Sequence, residues 1–260
     1  NIYNFFGFKE AIMEKSYFSI LDSERFGFKV AKINDYGTNP KKTLNDLRNS
    51  DYKLVISKIN AEEICFINEL ENFGFRIMDT QVTYKYDLSK LNKNPLYDQK
   101  SNVNIRICES KDIEAIVKIA EESFKNYGHY SADNNLDKVK CLEIYKDWAF
   151  KSCTDNNVAD KVFVAEIGNE VVGFLSFKKF SVSGVNCAAG GLGAILKDFR
   201  GLDIFKKITV KGLEWGVEQK LAWEEHNVLI NNYPVNSSFS KMGFTIWKSF
   251  YTLHCWLNKQ

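Results

Sequence analysis

A glycine-rich run that leads into an arginine-glycine turn is the stretch of this chain best suited to bind a ligand. Gly190, Gly191 and Gly193 precede an apolar pair, and Arg200 and Gly201 follow a few residues later. Glycine weakens the interior of a strand, so three glycines beside an apolar run predict a strand that another backbone or a ligand approaches closely.

The residues after this turn have helical periodicity. One face of the predicted helix is apolar and the opposite face carries lysine and glutamate. The apolar face contains Ile204, Phe205, Ile208, Gly212 and Trp215. The first turn of such a helix has free N–H groups and the positive end of the helix dipole, which bind phosphate. The pattern predicts a site for a diphosphate-bearing cofactor; an ordinary strand-turn-helix unit is the alternative interpretation.

The turn resembles the acyl-CoA loop of GCN5-related N-acetyltransferases, whose pattern is Gln/Arg-x-x-Gly-x-Gly/Ala. Arg200 matches the first position, whereas Asp203 and Phe205 stand where the family has small residues. The Asp203 carboxylate is expected to weaken cofactor binding unless it turns outward or caps the helix. The resemblance implies acetyl-CoA as cofactor, with the amides of Ile195 and Leu196 on the pantetheine arm and those of residues 201–205 on the diphosphate. The implied cofactor-binding residues are Ala194, Ile195, Leu196, Arg200, Gly201, Leu202, Asp203, Ile204, Phe205, Asn232 and Phe239.

A second segment of the same resemblance precedes Gly243-Phe244. Asn232 occupies the position of the family's coenzyme-contacting asparagine, with a turn or helix cap as the alternative role. Phe239 stands where relatives carry the tyrosine that protonates the departing thiolate, and packing in the core is its favoured interpretation. Tyr233, Ser240 or water then remain as proton donors.

Aromatic and polar residues between Phe124 and Trp148 form the predicted acceptor site, because in this fold that helix-loop-helix lies across the acceptor pocket. The candidates for substrate contact are Tyr127, His129, Tyr130, Asp133, Tyr145 and Trp148. Together with Asp22-Ser-Glu-Arg-Phe-Gly27 and Tyr251-Thr-Leu-His-x-Trp256, they resemble the dTDP-fucosamine acetyltransferase group, which acetylates the 4-amino group of a nucleotide-linked deoxysugar.

Histidines are the candidates for acid-base chemistry. An amine must lose a proton before it attacks a thioester, and a mild base suffices at neutral pH. His129 is the first choice for this base and His254 the second, with solvated or packed histidines as the alternative; Tyr233 completes the catalytic candidates. His226 is assigned to the surface.

The predicted elements fit an α/β (α+β) class. Over residues 103–260 their order resembles the acetyltransferase fold, with a mixed sheet splayed between the strand ending near Leu196 and the strand Asn227–Ile230. Residues 1–98 form a smaller predicted domain, separated by a polar linker, Ser89–Asn102. Its segment Glu71–Leu88 echoes Ser240–Leu257 through Gly-Phe-x-Ile, so we interpret it as a partial, degenerate copy; a chance match is the alternative. Within it, Phe26–Ile33 alternates as a strand does.

Composition limits the partners. A formal net charge of +2, from 35 basic and 33 acidic residues, gives no reason to expect nucleic acid. The scattered cysteines and histidines predict no metal site and reduced, mostly buried thiols. Without a long apolar run or a signal peptide, we expect a soluble cytoplasmic protein that has no membrane partner, and a homodimer is compatible with the sequence.

Two alternatives to an amino-sugar acetyltransferase remain open. One is the same chemistry on another amine, such as an antibiotic, a polyamine or a peptide. The other is a non-catalytic binding module of the same fold, which the departures at Asp203, Phe205 and Phe239 favour.

Overall fold

The computed structural model describes residues 17–37, 39–93 and 102–257. The strands are β1 (Lys29–Lys32), β2 (Tyr52–Asn60), β3 (Arg76–Asp87), β4 (Asn104–Ile107), β5 (Lys161–Ile167), β6 (Glu170–Val182), β7 (Val185–Ile195), β8 (Trp223–Leu229) and β9 (Thr245–Trp256). The helices are α1 (Ile20–Phe26), α2 (Pro40–Asn49), α3 (Ile64–Asn72), α4 (Ile113–Ser123), α5 (Gly128–Ala132), α6 (Lys138–Thr154), α7 (Ile204–Glu218) and α8 (Tyr233–Lys241). The predicted α/β class is confirmed.

The chain forms two compact units, each built from segments that are not contiguous in sequence. The first contains the described parts of 1–81, 128–140 and 248–260, and the second contains 82–127 and 141–247. The boundaries fall inside β3 and β9, so each of these strands contributes to both units. The division of the chain into a domain of residues 1–98 and a domain of residues 103–260 stays a prediction.

In the first unit the strand order is β1-β2-β9-β3. β1 pairs parallel with β2, and β2 pairs antiparallel with β9 from Leu54↔Trp256 to Asn60↔Phe250. The amphipathic helices α2 and α3 cover a core that joins Leu44, Ile67 and Leu253. A strand from the end of the chain therefore completes the sheet of the first unit.

In the second unit the order is β3-β8-β7-β6-β5-β4. β4 to β7 are antiparallel neighbours, whereas β7 and β8 are parallel. One core contains the apolar face of α7 with Phe177, Trp215 and Phe239. A separate core contains Ile116 and Tyr145 from α4 and α6, together with Leu192 of β7. The sheet of this unit is mixed, as predicted.

The two Gly-Phe segments that echo each other in sequence have the same local structure. α3 and α8 each end before a glycine with positive φ, 94° at Gly74 and 87° at Gly243. The N–H groups of Phe75 and Phe244 then bond to the carbonyls of Leu70 and Phe239, both at 3.1 Å. At both places a glycine in the left-handed conformation ends the helix and leads the chain directly into a long strand. A common origin of the two halves stays a prediction.

Some local expectations need correction. The predicted strand Phe26–Ile33 is shorter, because α1 ends at Phe26 and Gly27, at φ 80°, caps it. Cys65 is exposed, whereas Cys141, Cys187 and Cys255 are buried. The linker lies partly outside the described residues: Leu88–Lys93 is a 3₁₀ helix, and 94–101 are not described.

Candidate active site

In the second unit, β7 and β8 diverge half-way along their length. They pair only at Ala188↔Glu224, Ala189↔Glu225 and Gly190↔His226. β7 nevertheless stays paired with β6 as far as Ile195. The predicted splay is thereby confirmed, and along the later part of β7 the edge that faces away from β6 pairs with none of the described strands.

The His226 ring occupies the last paired position. A Cβ built on Gly190 would lie 1.9 Å from His226 Nδ1, so only glycine admits the ring. His226 Nε2 is 2.8 Å from Glu224 Oε1, and the ring packs 4.7 Å from Phe239 between centroids. Prediction placed His226 at the surface, but it is 4% exposed, because α7 and α8 cover this face of β8.

A β-bulge lies within β7, directly after Gly190. Leu175 pairs with Gly193 and Phe177 with Gly190, so Gly191 and Leu192 both lie opposite Ser176. The Ser176 hydroxyl donates to the Leu192 carbonyl at 3.1 Å and supports the irregular backbone. A bulge bends its strand and increases the local twist, which turns β7 away from β8.

The amides at the end of β7 point in alternate directions. The Leu196 N–H donates to the Val172 carbonyl at 2.9 Å, so the ladder already uses the amide for which a pantetheine contact was predicted. Ile195 lies opposite Gly173 in the intervening pair, whose N–H and C=O groups point away from the partner strand. Ile195 therefore presents its N–H to the free edge, and Arg200 Nε donates to its carbonyl at 3.0 Å.

The turn before α7 leaves its first amides available. Gly201 has φ 83° and Asp203 φ 56°, and the first helical bond runs from the Lys207 N–H to the Asp203 carbonyl at 3.1 Å. The N–H groups of residues 204–206 consequently have no carbonyl within the helix. The Asp203 side chain is exposed and does not cap them, and Phe205 turns inward to Phe239 at 5.3 Å between centroids.

α8 holds the end of β8 through a residue that was not predicted. Asn236 Nδ2 donates to the carbonyls of Leu229, Ile230 and Asn232, at 2.9, 3.2 and 2.8 Å. Asn232 precedes the first residue of the helix, and its side chain makes no capping hydrogen bond. The side-chain amide of Asn232 is therefore not used at this helix end. An asparagine in the first turn of a helix was the signal available in the sequence.

The hydroxyl candidates near this helix differ in exposure. Phe239 is 1% exposed and stacks on Tyr84 at 5.2 Å, which confirms core packing. Tyr233 is 74% exposed. The Ser240 hydroxyl donates to the Asn236 carbonyl at 3.1 Å. The position at which the pattern has tyrosine is thus apolar and buried.

In the first unit, three predicted residues form a hydrogen-bonded chain. Asp133 Oδ2 is 2.8 Å from His254 Nδ1, and His254 Nε2 is 2.8 Å from His129 Nδ1. His254 is separated from the other two residues by more than 100 positions, and α5, the loop after it and β9 bring the three together. Asp133 and His254 are buried and His129 is partly exposed.

Asp133 accepts hydrogen bonds from N–H donors on both oxygens. Trp256 Nε1 donates to Oδ2 at 2.9 Å, and the Asn135 N–H donates to Oδ1 at 2.9 Å. Burial by itself raises the pKa of the Asp133 carboxyl, but the bonds from His254, Asn135 and Trp256 outweigh it and lower this pKa to about 2. The carboxylate is ionised at neutral pH.

His129 is held in a fixed orientation. Its ring centroid lies 3.9 Å from that of Tyr130, whose hydroxyl donates to Asp22 Oδ1 at 2.8 Å. Lys32 Nζ binds Asp22 Oδ2 at 2.6 Å. Burial lowers the pKa of His129 well below its usual value, and the neighbouring His254, Lys32 and Lys58 side chains lower it further, because a positive charge on His129 would be unfavourable beside them.

Several predicted acceptor residues serve as supports. Tyr130 is 1% exposed and Asp133 2%, and both support His129, Tyr130 by ring packing and Asp133 through His254. In the second unit, the Tyr145 hydroxyl donates to the Tyr127 carbonyl at 2.9 Å. Trp148 packs against the same core as these two tyrosines. Asp22 and Lys32 were missed as partners, although Asp22 lies in the Asp-Ser-Glu-Arg-Phe-Gly motif.

Comparison with solved structures identifies the fold. A tandem GNAT protein from the clavulanic acid biosynthesis pathway covers 89% of this chain and 76% of its own, with a TM-score of 0.63 and 10% identity. A GCN5-related N-acetyltransferase from Sphaerobacter thermophilus covers 90% and 75%, at TM-score 0.58 and 12% identity. The chain has the GCN5-related N-acetyltransferase fold. A functionally unknown conserved protein from Staphylococcus epidermidis covers 98% and 96%, at TM-score 0.63 and 13% identity. The predicted resemblance is confirmed at the level of this fold.

Sequence comparison adds one relative. The chain is 27% identical over 155 residues to the spore coat polysaccharide biosynthesis protein SpsD of Bacillus subtilis, which covers 58% of this chain. The match spans half the length of that relative. No family model matches the sequence.

Within 17–37, 39–93 and 102–257, no group of His, Cys, Asp and Glu side chains is arranged to hold a metal ion. None of the helices in this part of the chain has the length and apolar character needed to cross a membrane.

Replacing Gly190 by alanine should destabilise the second unit. The added methyl group would overlap the His226 ring, and such overpacking costs about 1–3 kcal/mol. Urea unfolding of the wild type, Gly190→Ala, His226→Ala and the double variant measures this as a double-mutant cycle. The alanine should cost much less in the His226→Ala background; an equal cost in both backgrounds would show that the ring is not the obstacle.

Acid should remove a contribution of Asp133 to stability. Because the pKa of its carboxyl is lowered to about 2 in the folded state, the contribution is complete above the unfolded pKa of about 3.9 and is lost as pH falls towards 2. We expect wild type to exceed Asp133→Asn by about 1–2 kcal/mol more at pH 6 than at pH 3. Urea unfolding across this range is the measurement, and a gap that stays constant contradicts it.

Proposed function

We propose that this protein is an acyl-CoA-dependent N-acetyltransferase that acetylates the amine of an amino sugar. Nucleotide-linked 4-amino-deoxysugars are the first acceptors to test. The observation that carries the proposal is the divergence of β7 and β8 after Gly190, combined with unused amides at the start of α7. Such a sheet has an edge for an extended arm and a positive helix end for phosphates.

Coenzyme binding would rest mainly on the backbone. The Ile195 N–H is directed to the free edge of β7, where it suits a carbonyl of the pantetheine arm. The amides of residues 201–205 suit the diphosphate, and the Asn232 amide suits the arm near the end of β8. Arg200 supports the strand end through the Ile195 carbonyl. Main-chain donors tolerate unusual side chains, so Asp203 and Phe205 need not abolish binding.

The acceptor assignment rests on aromatic residues and on the relative. Tyr127 and Trp148 are partly exposed and pack on the core that contains Tyr145, so their exposed parts are the ones proposed to contact a sugar ring. The relative SpsD is described as a polysaccharide biosynthesis protein, which favours a sugar over a polyamine or peptide. These observations support an amino sugar as the acceptor class.

Proton transfer is assigned to His129 as base. The acceptor ammonium, with a reference pKa near ~8, must release a proton before its nitrogen lone pair attacks the thioester carbonyl. The C–N bond forms as the C–S bond breaks, the thiolate leaves with the electron pair of that bond, and the nitrogen releases its second proton to water. Because Phe239 has no hydroxyl and Tyr233 is largely exposed, we propose that water protonates the thiolate.

Removing the charge at Asp203 should tighten acetyl-CoA binding. The exposed carboxylate stands beside the amides proposed for the diphosphate, and a charge at a helix terminus contributes about 0.3–1 kcal/mol. Asp203→Asn should therefore lower the Kd by about two- to fivefold. Asparagine tolerates the left-handed backbone of this position.

Calorimetry with acetyl-CoA measures this effect. Glu218→Gln, which removes the same charge at the other end of α7, is the matched control and should leave the Kd unchanged. A weaker affinity in Asp203→Asn would mean that the carboxylate supports the loop, and no heat of binding in any variant would refute coenzyme binding.

The acceptor class is tested by thiol release from acetyl-CoA. A panel would contain nucleotide-linked 4-amino-deoxysugars, free amino sugars, a polyamine and an aminoglycoside, and the corresponding hydroxy sugars are the controls. We expect release with amino sugars and none with the hydroxy sugars. Thiol release only with the polyamine or aminoglycoside supports the same chemistry on another amine. Coenzyme binding without thiol release supports a non-catalytic binding module.

A further inference from the structure

We infer that Asp133 and His254 are positioning residues that keep the proton of neutral His129 on Nδ1 and leave Nε2 as the proton acceptor. The inference rests on the proposed function for its catalytic meaning. The proton arrangement itself follows from hydrogen bonds within the first unit alone.

The starting point is the carboxylate, which can only accept. Three N–H groups converge on Asp133: His254 Nδ1 and Trp256 Nε1 on Oδ2, and the Asn135 backbone on Oδ1. The tryptophan and backbone groups have no other role than donor. A protonated carboxyl group would therefore face a donor on either oxygen, so the ionised form is the one that fits.

The charge of Asp133 determines the tautomer of His254. Its Nδ1 lies 2.8 Å from the carboxylate and must carry the hydrogen. A neutral imidazole then has a lone pair on Nε2, which faces His129 Nδ1 at 2.8 Å. His254 is 1% exposed, so solvent does not offer it another partner.

His129 is determined in turn. Its Nδ1 must donate to the lone pair of His254, and its own Nε2 is left with a lone pair. Among residues 17–37, 39–93 and 102–257, no side chain or backbone group bonds to His129 Nε2. The residue is partly exposed and its ring is held by Tyr130, so this nitrogen is oriented and is the one that the inference assigns to the acceptor.

The reaction step balances without another reagent. One N–H bond of the acceptor ammonium breaks and its proton forms a bond to His129 Nε2, while the electron pair stays on the amine nitrogen. The resulting imidazolium keeps its Nδ1–H bond to His254, whose other nitrogen remains bonded to the Asp133 carboxylate. The proton later returns to water.

Charges around His129 act in both directions. Lys32 on β1 and Lys58 on β2 oppose its protonation, although Lys32 is paired with Asp22. Asp79 on β3 lies beside the His129 backbone, and burial raises the pKa of its carboxyl. The Asp133 carboxylate, reached through His254, is the charge directed along the line of the hydrogen bonds. It therefore favours the protonated form of a base that burial, first, and then the nearby positive charges keep neutral.

Asp133→Asn tests the hydrogen-bonded chain from Asp133 through His254 to His129. The substitution can reverse which ring nitrogen of each histidine carries the proton. An asparagine has one oxygen, so its NH₂ must confront either Asn135 or the pair His254 and Trp256. When the NH₂ faces His254, its Nδ1 must accept, its proton moves to Nε2, and His129 must carry its proton on Nε2. The base would then lack its lone pair.

The first measurement is ¹⁵N–¹H NMR of the imidazole groups in full-length protein, which does not depend on activity. Wild type should show His129 protonated on Nδ1, and Asp133→Asn should show His129 Nε2–H in the molecules whose asparagine NH₂ faces His254. A wild-type His129 with its proton on Nε2 overturns the inference, even if the variant fails to fold. Circular dichroism checks the fold of the variant.

The second measurement is the pH profile of kcat/KM with the best amino-sugar acceptor. Asp133→Asn should lose at least about a hundredfold and its rising limb should shift, because general-base assistance is worth 10²–10⁴-fold. Trp256→Phe, which removes one bond to the same carboxylate and leaves the tautomers unchanged, should lose less than about tenfold. Equal losses in both variants, with unchanged profiles, would show a structural role only.

Failure of the two proposals can be separated. If wild type shows the expected tautomers but no acceptor releases thiol, the relay stands and the transferase function is refuted. If acetylation occurs but the tautomers are reversed, the transferase stands and another base must be sought.

Discussion

The contact between the His226 ring and Gly190 is the constraint on which the geometry of the second unit depends. An imidazole bonded to Glu224 and packed against Phe239 occupies the space that a side chain on β7 would need. After this point β7 bulges and follows β6 alone. The sheet opens at the bulge that follows this packed pair, and the free edge of β7 begins there.

Departures from the acyl-CoA pattern affect side chains more than the backbone. Asp203 adopts the left-handed conformation that the turn requires and is exposed, and Phe205 becomes part of the core. The amides at the start of α7 keep their directions in spite of both. Phe239 differs, since a hydroxyl cannot be replaced by a backbone group; there the core has gained an aromatic stack with Tyr84 and lost a proton donor.

The first unit handles buried charge by supplying donors and partners. Asp133 receives three N–H donors, and Asp22 is matched by Lys32 and by the hydroxyls of Ser19 and Tyr130. Removing a buried carboxylate from water is costly unless each oxygen is satisfied. Tyr130 connects these two groups, because its hydroxyl serves Asp22 while its ring supports His129. The acid-base residues and the structural ion pair are therefore one packed arrangement.

The sequence by itself determined what depends on neighbours along the chain. Helical and strand periods, the Gly74 and Gly243 helix endings, the Arg200 turn and the core character of Phe239 are all local patterns, and the structure agrees with them. Only the tertiary structure decided the burial of His226, the use of the Leu196 amide by β6, the exchange of β9 into the first unit, and the chain from Asp133 through His254 to His129. These features depend on strand register and on contacts across more than 100 residues, and no periodicity records which distant side chains will meet.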